Sequence, residues 1–148
     1  MGSEKELIMS FELIKITPGD KARPLVPVQI VNPKNGKTLR TYALINTGAD
    51  QTVIPAEFAQ ILDIVIDETT SKQEIQTANG IQIATSFKLI LELFNTEGEK
   101  LHSSDEFEII NLEGLKTVLI GMDFLSKFEL KVDYPNSLLS LQQKINEF

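Results

Sequence analysis

The residues best suited to chemistry lie in the segment "YALINTGADQTVIP", which runs from Tyr42 to Pro55. An apolar run leads into Asn-Thr-Gly-Ala-Asp and a second apolar run follows, so the pattern predicts a tight turn between two buried strands. An aspartate at the first turn position could act as a general acid or base, whereas the carboxamide of Asn46 cannot ionise. Residue 46 therefore decides whether this turn is only structural or is also catalytic.

The residues that follow Asn46 suit a site built from two carboxylates. Two acids that share one proton allow one to accept a proton from water while the other donates to a scissile carbonyl. Thr47 offers a hydroxyl that can bond to its counterpart, Gly48 permits close backbone approach, and Ala49 leaves room for substrate. On its own, Asn46-Thr47-Gly48 is more simply explained as a type I or II turn. The catalytic interpretation therefore needs a second signal elsewhere in the chain.

The composition excludes several other kinds of active site. The chain has 148 residues, of which 42% are hydrophobic and 24% charged, as expected for one soluble globular domain. It has no cysteine, which excludes disulfides, thiolate metal sites and a cysteine nucleophile. Its single histidine, His102, excludes a multi-histidine zinc site within one chain. The net charge of -7 and the scattered basic residues disfavour nucleic acid as a partner.

The N-terminal sequence "MGSEKE" lacks the apolar region of a signal peptide, and no apolar run reaches the roughly 18 residues of a membrane span. We interpret residues 1–3 as an expression scar and residues 4–148 as a single domain. We expect this segment to be cytoplasmic and to make no membrane contact. An expression scar at this position is compatible with a native leader or anchor upstream of residue 4.

Strand signals dominate the remaining sequence. Residues 7–16, 25–31 and 38–45 are predicted to form a three-stranded meander, and residues 72–94 a hairpin with Asn79-Gly80 at its tip. Further strands are predicted over residues 99–110 and 115–121 and in a terminal hairpin around Pro135-Asn136. Short helices are predicted, one to begin at Pro55 and one over residues 122–128. Many short strands with little helix predict an all-β, closed barrel or sandwich.

Three segments together resemble the retropepsin-like aspartic protease family. "ALINTGADQTVIP" is similar to the family's catalytic loop, which reads apolar-apolar-Asp-Thr-Gly-Ala/Ser, and "TVLIGMDFL" resembles its second, Gly-containing signature. "QTANG" lies between them, where the family has its flap hairpin. The resemblance spans residues 25–141 and is closer to cellular and bacterial members than to retroviral ones. With the second motif present, the catalytic interpretation of the turn is favoured.

The resemblance implies a peptide or protein substrate, no metal or cofactor, and a homodimer whose site lies on the two-fold axis. It places Asn46, Thr47 and Gly48 in the catalytic loop and Ala49 and Asp50 against substrate. It assigns the flap, which closes over substrate and excludes water, to Gln76, Thr77, Ala78, Asn79 and Gly80. Gly121 is expected to have a structural role beneath the loop. The terminal segments, residues 7–16 and 137–144, are candidates for strands shared across the dimer.

The chain departs from the family at Asn46, where the catalytic aspartate belongs, so we expect it to be inactive as written. One explanation is an engineered Asp→Asn change, which we favour because the surrounding motif is intact. The other is a natural pseudo-protease that binds peptides, and the genomic codon for residue 46 would separate the two. A third, weaker alternative is a β-barrel adaptor with no cleft chemistry. Met122 also replaces an arginine of retroviral members, which leaves the role of Asp50 less defined.

Other polar residues carry weaker signals. The serines after His102 could suggest a hydrolase triad, but no Gly-x-Ser-x-Gly elbow exists, and we expect His102 to be solvated at a strand end. Asp63, Asp67 and Glu68 are expected to form a solvated face, since nothing singles out two of them as a glycosidase pair.

Overall fold

The structure is a computed structural model that describes residues 3–147 of the chain and the side chains of residues 7–143. Eleven strands and two short helices follow one another as β1 (Ser3–Glu12), β2 (Leu25–Val31), β3 (Thr38–Ile45), β4 (Val53–Pro55), α1 (Phe58–Ile61), β5 (Ser71–Thr77), β6 (Gly80–Phe94), β7 (Lys100–Ser103), β8 (Phe107–Leu112), β9 (Val118–Ile120), α2 (Met122–Leu125), β10 (Glu129–Asp133) and β11 (Leu138–Glu147). Neither helix in this part of the chain is long and apolar enough to cross a membrane.

Six strands form a closed barrel in the order β2-β3-β9-β4-β8-β6. Closure comes from β2, which pairs with β3 along one edge and with β6 along the other, where Val28 lies opposite Leu93. The β3–β9 and β4–β8 pairings are parallel, and β5 and β7 extend the sheet from β6. The predicted all-β fold with a closed barrel and short helices is confirmed.

The barrel interior is filled by alternate side chains from its strands. Val26, Val28 and Ile30 of β2 are all buried, as the period-two pattern of that strand requires. They belong to one apolar cluster with Leu89 and Leu91 of β6. Burying each such side chain contributes roughly 1.5–3 kcal/mol to folding. This core holds the ends of β3, β4 and β9 in place.

The terminal strands form a second sheet, in the order β1-β11-β10. The predicted meander is therefore wrong in its first strand, because β1 pairs with β11 along its whole length and only one bridge, Ile14 to Arg23, connects the segment after β1 to the segment before β2. Met9 and Phe11 of β1 are buried in the apolar cluster with Leu139 of β11. Long-range burial outweighs the tendency of sequential strands to pair. The two terminal segments thus pair with each other within one chain.

The hairpin turn at Asn79-Gly80 differs from the prediction in one respect. In both Asn35-Gly36 and Asn79-Gly80 only the glycine has a positive φ, of 76° and 108° respectively. Thr77 pairs with Gly80, so Ala78 and Asn79 form the tip of the hairpin, rather than Asn79 and Gly80. This geometry corresponds to a turn that ends in a left-handed glycine, which needs the missing Cβ at that position only.

Two element boundaries were also predicted wrongly. Pro55, predicted to be the first residue of a helix, is the last residue of β4, and the helix begins three residues later at Phe58. The single strand predicted over residues 99–110 is two strands, β7 and β8. Ser104 interrupts it because its hydroxyl accepts a hydrogen bond from the Leu91 amide and donates one to the Asp105 carbonyl oxygen.

Candidate active site

The 46–52 loop, defined as residues 46–52, connects β3 to β4 at one end of the barrel. Its first residue is fixed on three sides. The Asn46 amide donates to the carbonyl oxygen of Ile120 at 2.9 Å, and its carbonyl oxygen accepts from the Ala49 amide at 3.2 Å. The side-chain oxygen Oδ1 accepts from the Gly48 amide at 3.0 Å. An Asn or Asp side chain makes such a turn naturally, so the backbone here orients the side chain of residue 46.

The opposite side of the loop rests on the junction between β9 and α2. The Met122 amide donates to the Ala49 carbonyl oxygen at 2.8 Å, and the Asp123 amide donates to the Asp50 carbonyl oxygen at 3.0 Å. Gly121 is buried, and a Cβ atom added to it would lie 2.5 Å from the Gln51 carbonyl oxygen and 2.8 Å from that of Ala49. Only glycine allows the two backbones to approach this closely. Gly121 therefore supports the 46–52 loop from below.

Two further residues of this junction were not assigned a role from the sequence. Thr52, which is completely buried, donates from its backbone amide and from its hydroxyl to the carboxylate of Asp123. The only sequence signal for this contact is a polar residue inside the apolar run "QTVIP" and an acid close after Gly121. The pairing itself spans 71 residues and is not visible in local sequence.

The residues predicted to contact substrate fall into two separate groups. In the loop, Ala49 is half-buried, whereas Thr47, Gly48 and Asp50 are exposed on the surface of the single chain. Asn46 beside them is half-buried. The fold thus brings the predicted loop residues together around residue 46, with Gly121 beneath them.

The second group is the flap hairpin, defined as β5, the tip and the first part of β6 (residues 71–86). At its tip, the Thr77 hydroxyl donates to the Gly80 carbonyl oxygen at 2.8 Å and accepts from the Asn79 amide at 3.2 Å. Gln76 and Ala78 are exposed. Within the described residues, no hydrogen bond joins residues 76–80 to the 46–52 loop. The flap tip is therefore held by its own hydrogen bonds and not by bonds to the loop.

His102 lies near the end of β7, as expected, but it is half-buried against aromatic side chains instead of fully solvated. Its ring meets those of Phe124 and Phe128 edge-on, with centroid distances of 5.9 and 5.4 Å. Burial lowers the pKa of His102, nearby Lys127 lowers it further, and Asp105 opposes the shift. The histidine is a packing residue that favours the neutral imidazole.

The closed barrel, the Thr-Gly-Ala loop and the glycine beneath it are features of the retropepsin-like class of aspartic proteases. The family described as "gag-polyprotein putative aspartyl protease" matches residues 33–127, about two thirds of the chain. The chain belongs to this aspartyl protease family.

Among solved structures, the chain is similar to a retropepsin-like aspartic protease from Rickettsia conorii. The TM-score is 0.63 at 18% sequence identity, and the match covers 99% of this chain and 98% of the other. A likeness at this identity establishes the retropepsin-like fold. No curated protein sequence matches the chain significantly.

Proposed function

We propose that this protein is an aspartic endopeptidase that acts as a homodimer, and that the chain with Asn46 is its inactive form. The observation that carries the proposal is the geometry of residue 46. Oδ1 is held by the Gly48 amide at 3.0 Å, a bond that a carboxylate oxygen would make equally well. The second side-chain atom of residue 46, a nitrogen here, would be a carboxylate oxygen available to a water molecule after an Asn46→Asp change.

In the active form, two copies of the carboxylate at position 46 would share one proton, because two negative charges that close cannot both persist. The ionised carboxylate takes a proton from water as the water oxygen attacks the peptide carbonyl carbon. The protonated carboxylate gives its proton to the carbonyl oxygen, which yields a tetrahedral diol. Transfer of a proton to the peptide nitrogen then allows the carbon–nitrogen bond to break and releases the two product chains.

The exposure of the loop supports the requirement for a second subunit. Thr47 and Gly48 lie on the surface of a single chain although their loop is anchored by buried groups, which suits a surface that meets its own copy across a two-fold axis. In this arrangement the Thr47 hydroxyls bond across the axis and hold the two loops together. Substrate lies along Ala49 and Asp50, and the flap hairpin closes over it.

One observation favours a second function, namely Asn46 itself. A carboxamide can donate and accept hydrogen bonds but cannot activate water. If asparagine is the natural residue, the same dimeric cleft would bind peptides or proteins without cutting them. The two functions differ only in the chemistry of residue 46, so one substitution separates them.

The test compares the Asn46 chain with its Asn46→Asp variant on a mixed peptide library between about pH 3 and 7, the range in which a shared-proton pair operates. Cleavage products are read by mass spectrometry, with and without a statine-type inhibitor. Asn95→Asp is a matched control, because Asn95 Oδ1 also accepts a backbone amide two residues later, that of Glu97 at 3.0 Å. We expect inhibitor-sensitive cleavage by the Asn46→Asp variant alone.

Two other outcomes would change the assignment. If neither form cuts but the Asn46 chain retains peptides in a pull-down, the protein is a peptide-binding module on a protease fold. If neither form cuts nor binds peptides, both functions are wrong.

A further inference from the structure

The carboxylate of Asp123 connects the end of the 46–52 loop to α2. Its Oδ2 atom accepts the backbone amide of Thr52 at 2.9 Å, and its Oδ1 atom accepts the Thr52 hydroxyl at 2.7 Å and the Phe124 amide at 2.8 Å. None of the salt bridges found in residues 3–147 includes Asp123. The charge of this side chain is therefore balanced by three hydrogen-bond donors, two of which belong to a single residue of the loop.

The hydroxyl of Thr52 extends this connection to Gly121. While it donates to Asp123, its oxygen accepts the Gly121 amide at 3.2 Å. Thr52 is completely buried, and its carbonyl oxygen accepts the Ile110 amide at 3.0 Å. Every polar group of Thr52 thus has a partner in β8, in α2 or at Gly121 between β9 and α2, which fixes the place where the loop ends.

The position of Asn46 depends on both ends of the loop. The loop begins where the Asn46 amide bonds to Ile120 and ends at Thr52, so the Asp123 contact and the Ile120 contact together define its path. A displacement of about 1 Å at reacting groups can cost roughly 100-fold in rate. Met122, beside Asp123, has an uncharged side chain that cannot make an ion pair with the loop.

We propose that Asp123 is a positioning residue, which acts through Thr52 to hold the side chain at position 46 in its reactive place. This inference rests on the proposed protease function, but its geometry can be tested without it. The carboxylate is required because it only accepts hydrogen bonds. An amide at position 123 has one acceptor oxygen, so its NH2 group would face either the Thr52 backbone N–H or the Thr52 hydroxyl and the Phe124 N–H, and the donors on that side would lose their acceptor.

The kinetic test uses the Asn46→Asp background with Asp123→Asn, Thr52→Val and Thr52→Ser added one at a time. Asp105→Asn is the matched control, since the Asp105 carboxylate has no hydrogen bond among the described residues. We expect Asp123→Asn and Thr52→Val to lower kcat by roughly tenfold or more with little change in KM, and to move the limbs of the pH–rate profile. Thr52→Ser keeps the hydroxyl and should keep kcat within about threefold of its parent.

A second measurement uses the Asn46 chain itself and needs no activity. Asp123→Asn should speed amide hydrogen exchange at Gly48 and Met122, whereas Asp105→Asn should not. If the Asn46→Asp variant fails to cut, the protease proposal falls and hydrogen exchange alone decides the role of Asp123. If it cuts and Asp123→Asn leaves kcat, the pH profile and exchange unchanged, the positioning role is wrong while the protease stands. If the Asp123→Asn variant does not fold, the two Thr52 variants decide. Equal kcat values for Thr52→Val and Thr52→Ser would show that the positioning role of Asp123 is wrong.

Discussion

The 46–52 loop and the flap hairpin are both chain reversals rich in small and polar residues, but the fold holds them in opposite ways. The loop is tied to β9 and α2 by backbone and side-chain hydrogen bonds, and it ends at Thr52, which is completely buried. The tip of the flap hairpin is held by bonds among its own residues, and Ile81 and Ile83 beside it are 67% and 72% exposed. The loop is anchored by the core along its length, whereas the flap hairpin reaches the core only at its base, through β8, and its tip is supported locally.

This difference matches what each region must do in the proposed protease. Reacting groups must be held in place before substrate arrives, whereas a cover must open and close around it. Long-range hydrogen bonds and buried contacts supply the first property, and a hairpin with few buried side chains supplies the second. Substitutions in the two regions should therefore differ in how much they lower the free energy of unfolding and in how many residues they affect.

The largest effect is expected at Gly121. An alanine Cβ would lie 2.5 Å from the Gln51 carbonyl oxygen, and both backbones that would have to move are anchored. We expect Gly121→Ala to lower the free energy of unfolding by about 3 kcal/mol, the upper end of the usual cost of overpacking. Denaturant unfolding measures this loss.

Gly114→Ala is the control for Gly121, because Gly114 is exposed, has a positive φ of 82°, and has no atom within 4 Å of the position of an added Cβ. It should cost roughly 1–2 kcal/mol from backbone strain alone. Equal losses for the two variants would contradict a close contact beneath the 46–52 loop.

A smaller and more local effect is expected at Gly80, in the flap hairpin. Its φ is 108° and no atom lies within 4 Å of the position a Cβ would occupy, so an alanine there brings strain without a clash. We expect Gly80→Ala to speed hydrogen exchange at residues 76–80 and to lower the global free energy of unfolding by no more than Gly114→Ala does, roughly 1–2 kcal/mol. A loss as large as that of Gly121→Ala would show that the flap is part of the cooperative core.

The smallest effect is expected in the pH dependence of stability, through His102, which packs against Phe124 of α2. Burial against Phe124 and Phe128 lowers the pKa of His102 from its ordinary 6.5, so the unfolded chain binds this proton first. The free energy of unfolding should therefore fall as the pH drops below about 6.5 and level off below the pKa of the folded state. His102→Phe keeps the ring packing and should flatten this slope between pH 5 and 7. An unchanged slope would assign the pH dependence to other groups.

The sequence predicted those parts of the fold whose signals are local. The bounds of β2 and β3 match because β-branched runs are flanked by clear turn residues on both sides. The partner of β1 could not be predicted, since it lies at the other end of the chain and depends on burial of Met9 and Phe11. Period-two alternation shows that a strand exists but not which strand it joins.

The same division holds for the candidate site. The Asn46-Thr47-Gly48 motif and Gly121 were found because short motifs with special backbone needs leave a mark in sequence. The hydrogen bonds from Thr52 to Asp123 were not predicted, because a threonine at the end of a loop and an acid in a short helix are individually ordinary. Their role appears only when the barrel brings β4 and α2 together.

The central claim is that residue 46 is the reacting position of one site shared by two chains. Titration calorimetry of the Asn46→Asp variant with a statine-type inhibitor, joined to sedimentation of the same sample, tests it most directly. The account predicts a dimer that binds one inhibitor per two chains, with much weaker binding by the Asn46 chain. One inhibitor per chain, or a monomer that cleaves peptides, would contradict it.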